Sequence, residues 1–172
     1  MDLRFPIEQK VMNRAEPFQL AFARGALELI DESDNLRSKA SREGLIMLGS
    51  DEACLEGAVE ILLARYGHSL IIDRPRVRYI GDETLREPIM ALHVNIPLRY
   101  CGIVRRDLKA RGAGIVEMAI RFRVCAIEAQ APLAELLGYA KALDRLTNGT
   151  GDHSMRLLRY APLAPGPEGD AA

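Results

Sequence analysis

The same order of predicted elements occurs twice in this sequence, and the repetition limits the folds open to the chain more than any other feature. Short segments with alternating apolar residues are separated by segments with helical spacing. Residues 1–80 read as strand, helix, strand, strand, helix, strand, and residues 87–162 repeat that order. The βαββαβ order is typical of the ferredoxin-like arrangement, in which two helices cover one face of a four-stranded antiparallel sheet. We therefore predict the α+β class, with two ferredoxin-like sandwiches in tandem.

Local signals place the elements of the first half. Alternation in residues 3–8 predicts the first strand, and Pro6 would place that strand at a sheet edge or near a bulge, because proline cannot donate to a central ladder. Ser50 is the expected N-cap of the second helix, and Gly67 is its expected end. Pro75 is expected to interrupt the closing strand.

In the second half, the first helix is predicted over residues 101–111 and the second over residues 133–143, where Gly138 weakens the middle. The segment between the two repeats is short, so we expect the two domains to be closely coupled. Residues 163–172 are rich in Pro, Gly and Ala, and this composition predicts a disordered tail.

The composition indicates a cytoplasmic protein. No stretch approaches the run of about 18–20 apolar residues that a membrane span requires, so we expect no membrane partner. Residues 1–6 lack the pattern of a signal peptide. The three cysteines, Cys54, Cys101 and Cys125, are widely separated and form no CxxC pair, so reduced thiols are expected.

No residue set typical of catalysis is found. The sequence lacks a GxxxxGK[ST] loop, which predicts that it binds no nucleotide. Gly149-Thr150-Gly151 is more simply interpreted as a loop that needs a positive φ. His68, His93 and His153 have no metal-ligand spacing. We therefore predict no enzymatic activity, no cofactor and no metal.

Positive charge is concentrated in the second half, where residues 87–162 carry 11 Lys and Arg against 7 Asp and Glu. Arg105, Arg106 and Lys109 fall within an arc of roughly 100° on the predicted helix, away from its apolar residues. Arg111 adds charge at the end of that helix. Clustered cations favour phosphate contact, although a solvated helix face is the commoner meaning of such a pattern.

Four segments of the second half resemble the fifth, C-terminal domain of elongation factor G. They occur in the family's order and at its spacing: Glu87-Pro88-Ile89-Met90, Pro132-Leu133-Ala134-Glu135, Gly138-Tyr139-Ala140 and Leu146-Thr147-Asn148-Gly149. The match covers roughly residues 87–162. The resemblance implies contact with ribosomal RNA, because this domain of elongation factor G rests against ribosomal RNA. Two positions depart from the family's pattern: Thr150 stands in place of an Arg and His153 in place of an aromatic residue.

The first half is similar, more loosely, to the third domain of the same family. Gly49, Glu52, Leu55 and Glu56 match one segment, and residues 74–79 match the closing strand, whereas Cys54 replaces a family His. The family's fourth domain lies between the two matched regions, yet only residues 80–86 separate them here. The fourth domain is therefore expected to be absent, together with the GTPase and barrel domains.

The preferred hypothesis is a non-enzymatic, translation-factor-derived protein that binds the ribosome or ribosomal RNA through Arg105, Arg106, Lys109 and Arg111. The alternative is a protein-interaction scaffold or a small-ligand regulatory protein that keeps only the fold. A homo-oligomer is also open, because surfaces that pack against the missing domains would be exposed.

Overall fold

The computed structural model describes residues 3–81 and 84–163. Most of the predicted tail, and part of the segment between the two repeats, lie outside these residues. The elements are β1 (Ile7–Asn13), α1 (Gln19–Leu27), β2 (Leu36–Ser41), β3 (Gly44–Gly49), α2 (Glu52–Tyr66), β4 (Leu70–Ile72), β5 (Arg76–Val77), β6 (Arg86–Pro97), α3 (Cys101–Ala110), β7 (Gly114–Arg121), β8 (Val124–Pro132), α4 (Leu133–Leu136), α5 (Tyr139–Thr147) and β9 (Asp152–Pro162). Within the described part of the chain, no helix combines the length and apolar character needed to cross a membrane.

The N-terminal sheet is antiparallel and has the order β2-β3-β1-β4, with β5 pairing alongside β1 after the break at Pro75. β1 is therefore a central strand, so of the two positions expected from Pro6 the edge was wrong. The strand begins at Ile7, directly after Pro6, rather than at residue 3. A central strand needs amide donors on both sides, and proline is tolerated just before it because the ladder has not yet begun.

The two helices of the first half cover one face of that sheet. Asp51, and not Ser50, caps α2, since its carboxylate accepts a 2.9 Å hydrogen bond from the Cys54 amide. The Ser50 hydroxyl instead lies 3.0 Å from the other carboxylate oxygen of Asp51. Gly67 ends α2 with a φ of 58°, as the sequence predicted.

The C-terminal sheet has the order β7-β8-β6-β9 and is also antiparallel. Its order matches that of the first sheet, so the prediction of two ferredoxin-like sandwiches is confirmed. Gly138 adopts a φ of 75° and divides the predicted second helix into α4 and α5. A left-handed residue cannot continue a right-handed helix, which explains why one predicted helix is two.

The two halves pack against each other, and their buried side chains form one connected hydrophobic cluster. The Glu52 carboxylate of α2 accepts a 2.7 Å hydrogen bond from the Gly138 amide at the start of α5. One turn further along, Glu56 and Lys141 lie 3.1 Å apart. The close coupling expected from the short linker is therefore present in the structure. The division into residues 1–80 and 87–162 stays a prediction.

Candidate nucleic-acid interface

Helix α3 carries the predicted basic cluster, and its position is fixed by its apolar side. Val104 and Leu108 are completely buried against the C-terminal sheet. At the other end of the helix, Gly112 takes a φ of 70°, and its amide bonds to the Lys109 carbonyl at 3.0 Å. This is the left-handed ending that glycine allows at low cost. The helix is therefore held firmly, with its remaining side directed at solvent.

Three of the four predicted RNA-binding residues lie on that solvent side. Arg105, Arg106 and Lys109 are exposed. None of them forms an ion pair with a carboxylate among residues 3–81 and 84–163. We call these three residues the basic stripe. Because no neighbouring acid neutralises it, the stripe presents three positive charges to anything that approaches this face.

The fourth predicted residue, Arg111, is placed differently. Its Nε lies 2.9 Å from the Asp107 carboxylate, and another guanidinium nitrogen donates to the Glu135 carbonyl at 2.9 Å. The guanidinium also lies 5.3 Å from the centre of the Tyr139 ring. Arg111 thus ties the end of α3 to the α4–α5 corner, a structural task that the sequence pattern did not reveal.

An aromatic and cationic pair precedes α3 and was not predicted. Arg99 stacks 4.7 Å from the centre of the Tyr100 ring, and the Asn148 amide donates to the Tyr100 hydroxyl at 3.2 Å. The contacts with Arg99, and then with Asn148, lower the pKa of Tyr100. The adjacent Arg99 and Tyr100 are visible in the sequence, but the contact of Tyr100 with the loop after α5 depends on the tertiary fold.

The loop after α5 is built for shape rather than for phosphate binding. Gly149 has a φ of 72°, so the predicted need for a positive φ is confirmed there. Thr147 is fully buried, and its hydroxyl accepts a 3.0 Å hydrogen bond from the Gly151 amide. Thr150 donates its hydroxyl to the Thr147 carbonyl at 2.6 Å. The polar groups of Thr147 and Thr150 therefore form hydrogen bonds that stabilise the turn itself.

Cys54 and His93 each lie close to polar groups of neighbouring elements. Burial raises the pKa of the Cys54 thiol, which lies 3.1 Å from both the Asn35 and the Asp51 carbonyl oxygens. His93 lies 3.6 Å from the Glu128 carboxylate on the helix-free face of the C-terminal sheet. Across the described residues, no group of three His, Cys, Asp or Glu side chains is arranged to hold a metal.

A cleft between the two halves was also missed by the sequence reasoning. The N-terminal ends of α2 and α5 converge on a cavity of about 320 Å³, and Glu52 lies between them. A carboxylate at this point is favourable because the first turn of a helix carries partial positive charge. The two resemblance segments that contain Glu52 and Gly138 thus meet in space, and their interaction joins the two halves.

The family of the chain follows from its C-terminal half. The family described as "Elongation factor G C-terminus" matches residues 84–169, half of the chain. Elongation factor G from Aquifex pyrophilus is 40% identical over 80 residues, which cover 46% of this chain and 11% of that relative. Elongation factor G 2 from Bdellovibrio bacteriovorus is 38% identical over 80 residues, with the same coverage. The chain belongs to the elongation factor G C-terminus family, and it matches about a tenth of the length of these relatives.

The fold of the whole chain has a counterpart among solved structures. A crystal structure of a protein from Thermus thermophilus aligns with 96% of this chain and 42% of its own, with a TM-score of 0.66 and 18% sequence identity. At this identity the similarity concerns the fold alone. It extends over both halves of this chain.

Proposed function

We propose that the chain binds the ribosome through ribosomal RNA and that the basic stripe supplies the phosphate contacts. The observation that carries this proposal is the set of three exposed cations, Arg105, Arg106 and Lys109, without a carboxylate partner in the described part of the chain. Phosphate contact needs clustered cations and little base recognition. Membership in the elongation factor G C-terminus family makes the ribosome the natural partner.

Further features support the same surface. Arg99 stacked on Tyr100 adds another exposed cation just before α3, beside an aromatic ring. Aromatic and Arg planes are groups on which RNA bases stack. Since α3 is anchored by buried Val104 and Leu108, binding requires no refolding of the helix. Arg111 acts in this proposal as a positioning residue because its guanidinium is already engaged.

The proposed function involves no GTP hydrolysis by this chain and a cytoplasmic place of action. The matched family comprises only a C-terminal domain, and the sequence has no GxxxxGK[ST] loop. The contribution of the chain would then be occupancy of a ribosomal surface, with an effect on the access of other factors.

The test is co-sedimentation with purified ribosomes over a salt series. The variant R105E/R106E/K109E should be lost from the ribosome fraction at low salt, where the wild type is retained. A matched control is R14E/R24E/R42E, which changes the net charge equally at exposed positions of the N-terminal half. Equal loss of both variants would show a net-charge effect only, and absence of the wild type at low salt would contradict the proposal.

A further inference from the structure

Strand β7 forms an outer edge of the C-terminal sheet and is unusually apolar for such a position. Val116 is 62% exposed, Met118 41% and Ile120 55%. Edge strands are normally protected by lysine, proline or shortness, because their free amides and carbonyls can pair with another chain. β7 has eight residues and contains neither lysine nor proline. Its pairing with β8 shifts register between Ile115 and Glu117, a bulge that leaves Glu117 to Arg121 in regular pairing. The edge β2 of the other sheet, by comparison, contains Lys39.

The β7–β8 turn determines which backbone groups are free at this edge. The strands are joined by the two residues Phe122 and Arg123, with φ values of 47° and 67°, as a type I′ turn requires. Such a turn closes on a hydrogen-bonded pair, here Arg121 and Val124. Because hydrogen-bonded pairs alternate along an antiparallel ladder, the amides and carbonyls of Met118 and Ile120 point to the open edge.

The sequence of β7 is complementary to itself when read in the antiparallel direction about Ala119. In that register Glu117 lies opposite Arg121 of another β7, and Met118 lies opposite Ile120. The small Ala119 meets its own copy at the centre, where side chains of a non-hydrogen-bonded pair are closest. Such a pair of strands would therefore contain two Glu117–Arg121 pairs and two Met118–Ile120 pairs.

Glu117 and Arg121 are the charged residues that face each other in this register. Neither Glu117 nor Arg121 takes part in an ion pair among the described residues. Glu117 instead lies opposite Glu128 on β8, a like-charge pair that is unfavourable in one copy. Between Glu117 and Arg121 on β7, Ala119 pairs with Ala126 of β8. Because both side chains are small, a shallow cavity of about 340 Å³ lies over this part of the sheet. This cavity leaves room for the long Glu117 and Arg121 side chains of a second β7 strand.

We propose that β7 is a self-association edge, on which the β7 strand of a second copy of this chain pairs antiparallel about a two-fold axis at Ala119. The two four-stranded sheets then form one continuous sheet of eight strands. A two-fold axis normal to the sheet keeps the helices of both copies on the same side. The two basic stripes therefore end on one face of the dimer, although this interface stands independently of RNA binding.

Charge exchange at the two facing positions gives a specific test. E117R places Arg opposite Arg twice, and R121E places Glu opposite Glu twice, so each single variant should dimerise about tenfold more weakly. When the two variants are mixed, each Arg faces a Glu again, and dimers should reappear. The mass is measured by sedimentation velocity over a concentration series at low salt, against the 19.0 kDa of one chain.

The control is R156E, which makes the same charge change as R121E at an exposed residue of β9, the opposite edge strand, and should dimerise as the wild type does. Circular dichroism confirms that each variant is folded. A wild type that stays at the mass of one chain at all concentrations would overturn the proposal. Dimers that survive both single changes, or a mixture that stays monomeric, would overturn it equally.

Discussion

Replacing Glu52 should destabilise the chain, because its side chain makes a short hydrogen bond between the two halves. Its carboxylate accepts the 2.7 Å hydrogen bond from the Gly138 amide. Hydrogen bonds to a charged group contribute about 1.5–3 kcal/mol, and truncation leaves the partly buried amide without this partner. For a chain of this size, about 1 kcal/mol corresponds to a Tm change of about 2–4 °C, so Glu52→Ala should lower Tm by roughly 3–12 °C.

Glu56→Ala is the matched control on the same helix and at the same interface. Its partner Lys141 lies 3.1 Å away, but the two side chains are 59% and 78% exposed. Exposed ion pairs contribute at most about 1 kcal/mol, so the control should shift Tm much less. Glu52→Gln keeps an acceptor and should fall between the two. Thermal unfolding followed by circular dichroism is the assay, and equal small shifts for Glu52→Ala and Glu56→Ala would refute the reasoning.

Three further predictions concern single structural features. Replacing Phe122-Arg123 by Asn-Gly should raise the free energy of unfolding by about 1–2 kcal/mol in dilute protein, because both positions have positive φ; a loss measured by denaturant titration would contradict this. Gly44→Ala should lower it by about 1–3 kcal/mol, since φ is +128° and a Cβ would lie 2.4 Å from the Val11 carbonyl oxygen; an unchanged Tm would count against it. Burial, with a smaller contribution from Cys101, raises the pKa of Cys125 from 9.0 to about 12. Between pH 9.0 and about 12, the thiol therefore stays protonated in the folded chain while it ionises in the unfolded one, so the free energy of unfolding should decline over this range. A Cys125→Ala variant should show less of this decline. Rapid alkylation of native Cys125 at neutral pH would contradict the prediction.

The repeated element order was readable because each half obeys its own local rules. Gly67 and Gly112 end helices where the sequence placed those ends, and Pro75 interrupts the closing strand. These are local constraints on φ and on amide donors, which a residue carries with it. The same locality explains why Arg105, Arg106 and Lys109 were expected on the solvent side of α3, where the structure has them.

What the sequence could not reveal depends on neighbours that are distant along the chain. Pro6 indicated an edge or a bulge, and only the pairing of β1 on both sides shows that this proline directly precedes a central strand. Glu52 and Gly138 are 86 residues apart, so nothing local indicated their hydrogen bond. Arg111 matched the charge pattern of the basic stripe, yet its partners Glu135 and Tyr139 belong to later elements.

The salt dependence of binding to purified ribosomes tests the central claim, phosphate contact by the basic stripe, most directly. Each phosphate contact contributes about 0.7–0.9 to the slope of log K against log salt, so three contacts contribute roughly 2–3. Between about 50 and 200 mM salt they should cost the wild type roughly 20- to 40-fold in affinity. The account predicts that replacing Arg105, Arg106 and Lys109 by Gln weakens binding and makes the slope shallower by about 2–3. Equal slopes and equal affinities for the two proteins would contradict it.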